Sequence, residues 1–251
     1  MTPKITISVT IVLFQEDRAT LLKTITSFLE VPLLKKVFLI DNSPTDNLKD
    51  IIKHPDVVYH FVNKNLGFGA GHNFVLNKIK FFSDFHLVLN PDVSFEKNII
   101  SDLISELKKH DDVALIAPKV LFPNKEHQYT ARKYPKFFDL IIRRLRIFKK
   151  RIFEQEYRNK DLNEPFFAEY ITGCFQLYKT KDFITLKGFD QRYFLYMEDV
   201  DICKKIDKIG KKKLYYPKVS ITHILKKGSS KQFKLFVYHL ISAVKYFGKW
   251  S

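Results

Sequence analysis

The first 118 residues alternate between short apolar runs and amphipathic segments. The apolar runs are rich in β-branched residues and predict strands over 5–14, 36–40, 57–62, 85–89 and 113–117. Between them, apolar residues at helical spacing predict helices over 18–29, 48–52, 74–82 and 99–109. Strands that alternate with helices are typical of an open parallel sheet covered on both faces. The pattern therefore predicts an α/β fold.

Beyond Pro118 the alternation becomes less regular. Residues 132–160 are strongly basic, with a helical apolar pattern over 137–153, and residues 166–179 are predicted to be extended. A strand is predicted over 213–216, followed by a final amphipathic helix. The chain contains no repeat, low-complexity tract or Gly/Ser-rich linker, so we predict that its second half completes the same domain.

Composition limits the class of protein. A chain of 251 residues with 45% hydrophobic content can bury one substantial core. Cys174 and Cys203 lie in apolar runs without CxxC spacing, which argues against a zinc site or a disulfide framework. We find no secretory signal pattern and no apolar run as long as a membrane span, so we expect a cytoplasmic protein, soluble or peripheral.

The formal net charge of +16 favours polyanionic partners such as nucleic acid, anionic lipid or phosphorylated substrates. Lysine, isoleucine and phenylalanine are all abundant, however, and genomic base composition alone can produce that pattern. The total charge therefore leaves a functional and a neutral interpretation open.

Polar segments follow three of the predicted strands. Asp41 to Ser43 follows the second strand, Asn65 to Asn73 the third, and Asn90 to Asp92 the fourth. Carboxyl ends of parallel strands meet at one edge of a sheet, where ligands of such folds bind. Each segment also has an ordinary explanation, namely an Asx turn, a glycine-rich loop of general use, or a helix N-cap. Together they predict one site.

The residue types suggest the chemistry of that site. The Asp41 carboxylate could accept the N–H of a pyrimidine base, and the glycine-rich loop could bring backbone amides to a diphosphate. Asp92 offers the hard oxygen ligand that Mg²⁺ and Mn²⁺ prefer. His223 could add a metal or phosphate ligand, although a lone histidine is more often structural.

A second acidic segment lies further along the chain. Residues 188–203 hold four carboxylates, Asp190, Glu198, Asp199 and Asp201, among apolar and aromatic residues. Carboxylates in apolar surroundings bind protons more tightly and can serve as general bases. Alternatively, Glu198 and Asp199 could stabilise the first turn of a helix that begins near Met197. The nearby aromatic rings could stack on sugars or belong to the core. We predict that this segment is the centre of an active site.

These segments, in this order and approximate spacing, resemble family 2 glycosyltransferases, and among them the rhamnosyltransferase-like branch that builds bacterial surface polysaccharides. The motifs are Asp41-Asn42-Ser43, Asn65 to Asn73, Leu89 to Asp92, Gly188-Phe189-Asp190 and Glu198 to Cys203. The resemblance covers roughly residues 5–228. It implies a GT-A fold, with a Rossmann-like, mostly parallel sheet and C-terminal amphipathic helices. It also implies a nucleoside-diphosphate sugar donor, a Mg²⁺ or Mn²⁺ cofactor and inversion at the anomeric carbon.

The resemblance also implies residue roles. The nucleotide would be bound by Phe14, Asp41, Ser43, Asn65, Gly67 and Asn73. Asp92 stands where the family has its DxD aspartate and would hold the metal with His223. Asp199 would be the general base, supported by Glu198. The acceptor or sugar would meet Asp201, Tyr196 and Gly173.

The chain departs from the family pattern at two places. The DxD motif is reduced to Asn90-Pro91-Asp92, and Leu13-Phe14-Gln15 stands where many relatives have Tyr-Asn. We expect a single domain, with a nucleotide-sugar-binding half over 1–118, an acceptor and catalytic half over 119–228, and a basic amphipathic helix over 229–251.

The predicted function is transfer of rhamnose or another hexose from a dTDP, UDP or GDP sugar to a hydroxyl of a cell-surface glycan precursor, which we expect to be lipid-linked. Two basic amphipathic stretches could lie on the anionic inner face of the cytoplasmic membrane or pack on the domain. Their cations are Arg143, Arg144, Arg146, Lys149, Lys150, Arg151, Lys231, Lys234 and Lys245. A homodimer is compatible with the pattern.

Other functions remain as alternatives. A sugar nucleotidyltransferase would need a glycine-rich, arginine-containing loop after the first strand, and residues 13–18 contain no glycine. A basic nucleic-acid-binding protein would need cations interleaved with stacking aromatics on one surface and would not need Asp92 or the 198–201 cluster. We therefore expect no nucleic-acid partner. A catalytically inactive carbohydrate-binding relative is the third alternative.

Overall fold

The computed structural model describes residues 4–145, 147–225 and 233–250, except for the side chains of Ile141 and Arg144. Arg146 and Lys231 of the basic stretches, and residue 228 at the end of the resemblance, lie outside the described residues.

The strands of the first half of the chain follow the sequence pattern closely, whereas two of the four helices predicted there do not. The strands are β1 (Thr6–Leu13), β2 (Leu34–Asp41), β3 (Val57–Phe61), β4 (Phe85–Leu89), β5 (Val93–Ser94), β6 (Val113–Leu121), β7 (His127–Gln128), β8 (Ala131–Arg132), β9 (Phe166–Phe167), β10 (Tyr170–Ile171), β11 (Phe175–Lys179) and β12 (Lys212–His223). The helices are α1 (Arg18–Leu29), α2 (Phe68–Asn73), α3 (Leu76–Ile79), α4 (Ile99–Leu107), α5 (Phe137–Leu145), α6 (Lys149–Gln155), α7 (Thr180–Thr185), α8 (Glu198–Lys208) and α9 (Phe233–Trp250).

The main sheet has the order β3-β2-β1-β4-β11-β6-β12-β5, with β7 beside β6 and β9 beside β12. Strands β3, β2, β1 and β4 are parallel, whereas β11 is antiparallel to both β4 and β6. Strand β12 then runs parallel to β6. The sheet is thus mostly parallel, as predicted, but an antiparallel strand divides it near its middle.

Alternate residues of the central strands enter two separate apolar layers. In β4, Leu87 and Leu89 join the layer that also holds the buried residues of α1 and α4, whereas Val88 joins the layer packed by α7 and α8. Burial on both faces explains why these strands are nearly continuous in apolar character.

Three predicted helices differ from the structure. Residues 48–52 form turns closed by Lys49 N–H to Asp46 O and Ile51 N–H to Leu48 O, so the helix predicted there is wrong. The helix predicted over 74–82 instead begins at Phe68 and is interrupted between α2 and α3.

The helix predicted over 137–153 is also wrong as one element, because Phe148 has a φ of 52° and separates α5 from α6. Arg151 of α6 donates to the buried Asp139 carboxylate of α5 at 2.6 Å, and this contact joins the two helices.

Every parallel strand delivers its carboxyl end to one edge of the sheet. Asp41 and Asn90 follow from β2 and β4, and β12 ends there at His223. Because β11 is antiparallel, with Phe175 opposite Leu89, its amino end and the preceding Gly173 lie at this same edge. The predicted convergence of the polar segments on one edge is confirmed.

Strand β12 contains an irregularity just before this edge. Tyr216 pairs with Pro118 and Ser220 with Lys119, so residues 217–219 have no partners on β6. After the bulge the register resumes, and Ile221 and His223 are buried on the same side of the strand.

A substitution at Gly67 would test how closely the glycine-rich loop must approach the acidic segment. It has a φ of +83°, and a Cβ on it would lie 2.0 Å from the carbonyl oxygen of Phe194. We expect Gly67→Ala to destabilise the fold by more than the ~1–3 kcal/mol of a left-handed backbone position alone. The measurement is the free energy of unfolding in urea.

Gly210→Ala is the matched control, because Gly210 has a φ of +70° and a Cβ on it would meet nothing within 4 Å. Equal losses of stability in the two variants would show that the contact with Phe194 contributes nothing.

Candidate active site

Hydrogen bonds join three loops at the carboxyl edge. The Asn42 amide donates to the carbonyl oxygen of Gly67 at 3.1 Å, and Gln15 N–H donates to the Ser43 hydroxyl at 2.8 Å. Phe14, which follows β1, is 46% exposed at this edge. The loops that follow β1, β2 and β3 are therefore joined at this edge.

Asp41 is fully buried and makes local hydrogen bonds. Its carboxylate accepts from the backbone N–H of Ser43 at 2.8 Å, which is an Asx turn, and from the hydroxyl of Tyr59 at 2.6 Å. Burial and the hydrogen bond to Asp41 raise the pKa of Tyr59. Because the side chain is fully buried, contact between Asp41 and a base stays a prediction.

Two residues of the glycine-rich segment have structural partners. Asn65 accepts from Gly67 N–H, and Asn73 exchanges two hydrogen bonds with the backbone of Phe189. The N–H of Phe68 donates to Phe194 O. The amides of Gly67 and Phe68 are thus already used, and the Asn73 side chain joins α2 to the 188–190 segment instead of facing a nucleotide.

Asp92 and His223 form the pair predicted to hold a metal. Asp92 Oδ1 lies 3.2 Å from His223 Nε2, and both side chains are buried. Gln128 donates its amide N–H to the His223 carbonyl, so its Oε1, 3.0 Å from Nδ1, accepts from Nδ1–H. This arrangement leaves Nε2 directed at Asp92.

The surroundings of the pair favour positive charge on the imidazole. Burial disfavours the imidazolium, but Cys174 and Asp92 outweigh it and raise the pKa of His223 to about 10, so Nε2 carries a proton directed at Asp92. Once a cation displaced this proton, a carboxylate and an imidazole fixed at its other nitrogen would be ligands that fit Mn²⁺. Among the described residues, no group of three or more His, Cys, Asp or Glu side chains could hold a metal, so this pair would need ligands from a diphosphate or water.

Helix α8 begins from a strained turn. Tyr196 and Met197 both have a φ of 69°, and a left-handed position costs ~1–3 kcal/mol for a residue with a side chain. Three carboxylates fall in the first turn of α8, where the helix dipole favours them. The predicted helix start near Met197 is confirmed.

Glu198 is buried beside the glycine-rich loop. Its Oε2 has no hydrogen-bond partner, and a Cβ on Gly69 would lie 3.7 Å from its Cβ. Burial, and then the adjacent Asp199 charge, raise the pKa of Glu198 to about 8. His72, in the same loop, is also buried, and neither of its ring nitrogens has a hydrogen-bond partner.

Asp199 is half-buried and is held by backbone. Its carboxylate accepts from Val200 N–H at 2.9 Å and from Gly173 N–H at 3.2 Å. Burial raises the pKa of Asp199, opposed by these hydrogen bonds and by the charge of Arg132. Arg132 is a cation near the predicted base that the sequence pattern did not single out, because it lies in the irregular second half of the chain.

The Asp92–His223 pair and Asp199 both lie next to one backbone segment. Gly173 donates to Asp199, and the next residue, Cys174, lies beside His223 and accepts at its carbonyl oxygen from Asn90 N–H. The acidic groups predicted from distant parts of the chain therefore lie around the Gly173–Cys174 step.

Asp201 and Tyr196 face a different neighbour. Asp201 is fully buried, and its Oδ1 accepts from Lys249, Trp250 and Tyr193. The Tyr196 ring lies 4.9 Å from the His239 ring of α9. We therefore correct the prediction that Asp201 contacts the acceptor, because its carboxylate is enclosed by α9 and directed away from Asp199.

Comparison with known proteins gives the chain a family context. The model of the glycosyl transferase family 2 domain matches residues 8–186, which include Asp41, the glycine-rich loop, Asp92 and Gly173 but stop before α8. Rhamnosyltransferase WbbL of Escherichia coli is 26% identical over 224 residues, which are 85% of this chain and 82% of that protein. The N-acetylglucosaminyl-diphospho-decaprenol L-rhamnosyltransferase of Mycobacterium tuberculosis is 25% identical over 74% of this chain and 66% of its own.

Solved structures share the fold. GalNAc-T7 with UDP, GalNAc and Mn²⁺ has a TM-score of 0.67 and 19% identity, over 89% of this chain and 44% of that chain. The mannosyltransferase PcManGT of Pyrobaculum calidifontis with GDP-Man and Mn²⁺ has a TM-score of 0.64 and 13% identity, over 99% of this chain and 65% of its own. The predicted GT-A fold is confirmed, while the chain spans less than two thirds of either structure.

The raised pKa of Glu198 predicts how stability depends on pH. The carboxyl ionises near 4.5 in the unfolded chain and near 8 in the folded protein, so its contribution to stability is complete below the first value and is lost as pH rises through the second. Relative to Glu198→Gln, the wild-type free energy of unfolding should fall by at most about 1.4 kcal/mol per pH unit between these values.

Urea unfolding of both proteins across this range measures the effect. The exposed Glu126 provides the control substitution Glu126→Gln, whose curve should follow the wild type. Parallel curves for wild type and Glu198→Gln would contradict the burial of an uncompensated carboxyl.

Proposed function

Because the chain belongs to glycosyl transferase family 2, we propose that it is an inverting, metal-dependent sugar transferase acting on a lipid-linked precursor of a bacterial surface polysaccharide. The two rhamnosyltransferases it is similar to support rhamnose as the transferred sugar, and the mycobacterial one supports a lipid diphosphate acceptor. The family match favours this function over a nucleotidyltransferase or a nucleic-acid-binding protein.

The proposed mechanism rests on one observation. Asp199 and the Asp92–His223 pair adjoin consecutive residues, Gly173 and Cys174, so a base and a cation site lie within one small region. A single displacement needs both, since one substrate loses a proton while the other leaves with negative charge.

Asp199 would act as the base. Its carboxylate is held by Gly173 N–H, and its burial favours the protonated form that it reaches after accepting a proton. The acceptor oxygen then forms a bond to the anomeric carbon as the bond to the diphosphate breaks, and the proton passes to Asp199. Holding both substrates in line contributes further to the rate.

Asp92 and His223 would hold a divalent cation whose charge offsets that of the leaving diphosphate. His223 is fixed for this role by Gln128, which accepts from its Nδ1–H. The Mn²⁺ in two structural neighbours supports Mn²⁺ or Mg²⁺ as the ion. The nucleotide would lie at the edge formed by Phe14, Ser43 and the glycine-rich loop, with dTDP, UDP and GDP all compatible.

An exposed apolar surface supports a membrane-bound acceptor. On α9, the side chains facing away from the domain are exposed, and α5 continues this surface through the ring contact between Phe137 and Phe247 at 5.6 Å. The exposed apolar residues are Phe137, Phe138, Phe233, Leu240, Ile241 and Val244. Exposed lysines at 136, 149, 150, 234 and 245 accompany them. Apolar residues flanked by cations fit an anionic lipid surface.

The described helices contain no segment long and apolar enough to cross a membrane. The sequence left open whether the basic amphipathic stretches lie on a membrane or pack on the domain. Helix α9 packs on the domain with one face and leaves the other face exposed, so it is compatible with both. We propose that this exposed face rests on anionic lipid at the inner side of the cytoplasmic membrane.

Asp199→Asn tests the proposed base. The amide keeps an oxygen that can accept from Gly173 but cannot take the proton, so kcat should fall by about 10²–10⁴. Binding of the donor should be unchanged, measured as thermal stabilisation by a panel of dTDP, UDP and GDP sugars with and without Mn²⁺. In Asp92→Asn, the Mn²⁺-dependent part of that stabilisation should disappear.

The exposed Asp102 of α4 supplies the control Asp102→Asn, which should match the wild type in both assays. Unchanged turnover by Asp199→Asn would overturn the assignment of the base, and stabilisation of Asp92→Asn by Mn²⁺ to the wild-type extent would overturn the metal site.

Co-sedimentation with vesicles tests the proposed membrane surface. The wild type should bind vesicles that contain phosphatidylglycerol and not neutral vesicles, and the double variant Phe138→Ser, Val244→Ser should lose binding without losing stability, since both side chains are exposed. Phe81→Ser is the control, because Phe81 is 86% exposed but follows α3 at the opposite edge of the sheet. Concentration-dependent dimers that are lost in the double variant, without vesicle binding, would instead identify a second copy as the partner.

A further inference from the structure

Helix α9 lies along the segment that leads into α8 and contacts it at several points. Ser242 Oγ donates to Leu195 O at 2.8 Å, and Lys245 Nζ donates to Arg192 O at 2.7 Å. The rings of Tyr238 and His239 lie beside those of Phe194 and Tyr196. The segment 192–196 is therefore held from outside by α9.

The end of α9 is joined to two carboxylates of the acidic segment. Lys249 Nζ donates to Asp190 Oδ2 at 2.8 Å and to Asp201 Oδ1 at 2.7 Å. The Trp250 indole N–H donates to the same Asp201 oxygen at 2.7 Å. Asp201 is wholly buried, so Lys249 is the cation that compensates its charge. We call Asp190, Asp201, Lys249 and Trp250 the latch.

Asp201 of the latch and the proposed base Asp199 lie on opposite sides of the first turn of α8. Asp199 and Asp201 are two positions apart in α8, which rotates their side chains by roughly 200° from each other. Asp199 accordingly reaches Gly173 while Asp201 reaches α9. The latch and Asp199 are therefore both attached to the first turn of α8.

The turn that precedes α8 requires contacts that hold it in place. Tyr196 and Met197, immediately before α8, are both left-handed, and conformations of this kind persist only where surrounding contacts fix them. Glu198 adds an uncompensated buried carboxyl at the first position of the helix. The contacts from α9 described above hold this turn in place on its outer side.

We propose that Lys249 and Trp250 are positioning residues for Asp199, acting through Asp201 and Asp190. This inference rests on the proposed function, because it assigns their effect to the base. It also makes the lipid-facing helix and the catalytic turn one mechanical unit, since α9 holds the turn with one face and exposes apolar residues on the other.

Trp250→Phe removes the indole N–H and leaves Lys249 and Tyr193 on Asp201, so the fold should survive. A misplacement of about 1 Å can cost ~10²-fold, and we expect kcat to fall by about 10–10²-fold while KM for the donor sugar is little changed. Hydrogen exchange should become faster in residues 193–201 and stay as in the wild type in α1 and α4.

Lys249 provides two further variants. Lys249→Met removes the charge and should lower kcat at least as much as Trp250→Phe, whereas Lys249→Arg, which keeps the charge, should restore most of it. Because Trp250 is the one tryptophan in the sequence, its emission in Lys249→Met should shift to the red as the latch opens. Ile25→Val, a change in the buried face of α1, is the control for a general loss of stability.

Wild-type kcat and exchange in both Trp250→Phe and Lys249→Met would overturn the proposal. So would an equal loss of donor binding and turnover, or an equal loss of kcat in Ile25→Val at the same stability, since either result reflects general unfolding. Exchange does not depend on turnover, so a wild type that transfers no sugar would contradict the proposed function while the exchange data still decide the role of the latch.

Discussion

The hydrogen bond from Gly173 N–H to Asp199 depends on the direction of one strand. Had β11 run parallel to β4, Gly173 would lie at the far edge of the sheet, away from Asn90 and the end of β12. Because β11 is antiparallel, its start lies at the same edge as the ends of β4 and β12, and the residues before it meet both His223 and Asp199. This strand reversal places the residues before β11 between the parallel strands β1 to β4 and helix α8.

The strands of the first half could be predicted from the sequence because β1, β2 and β4 are mostly buried on both faces, and β2 and β4 lead into polar segments. The signal weakens after Pro118, where β8, β9 and β10 contain only two residues each and have no periodicity to detect. Phe148 illustrates the limit. The apolar spacing across it is helical, but its left-handed backbone and the Arg151–Asp139 ion pair divide the segment into two helices.

The candidate site was predictable in its residue types but less so in the direction each side chain takes. Asp199 and Asp201 look alike in the sequence, yet one adjoins Gly173 and the other is enclosed by α9, almost fifty residues later in the chain. Tyr59 and Arg132 carry no sequence signal, because their importance arises only from the carboxylates beside them in space. Partners that are distant along the chain decide these roles.

The bulge in β12 has a consequence for how the gene can change. Residues 217–219 loop out of the ladder, and their odd number sets which face of the strand His223 occupies when pairing resumes. Losing or gaining a single codon there would turn the imidazole from Asp92 to the other face of the sheet. Homologous chains should therefore vary freely in the identity of these three residues but not in their number, unlike the exposed turn at 123–126.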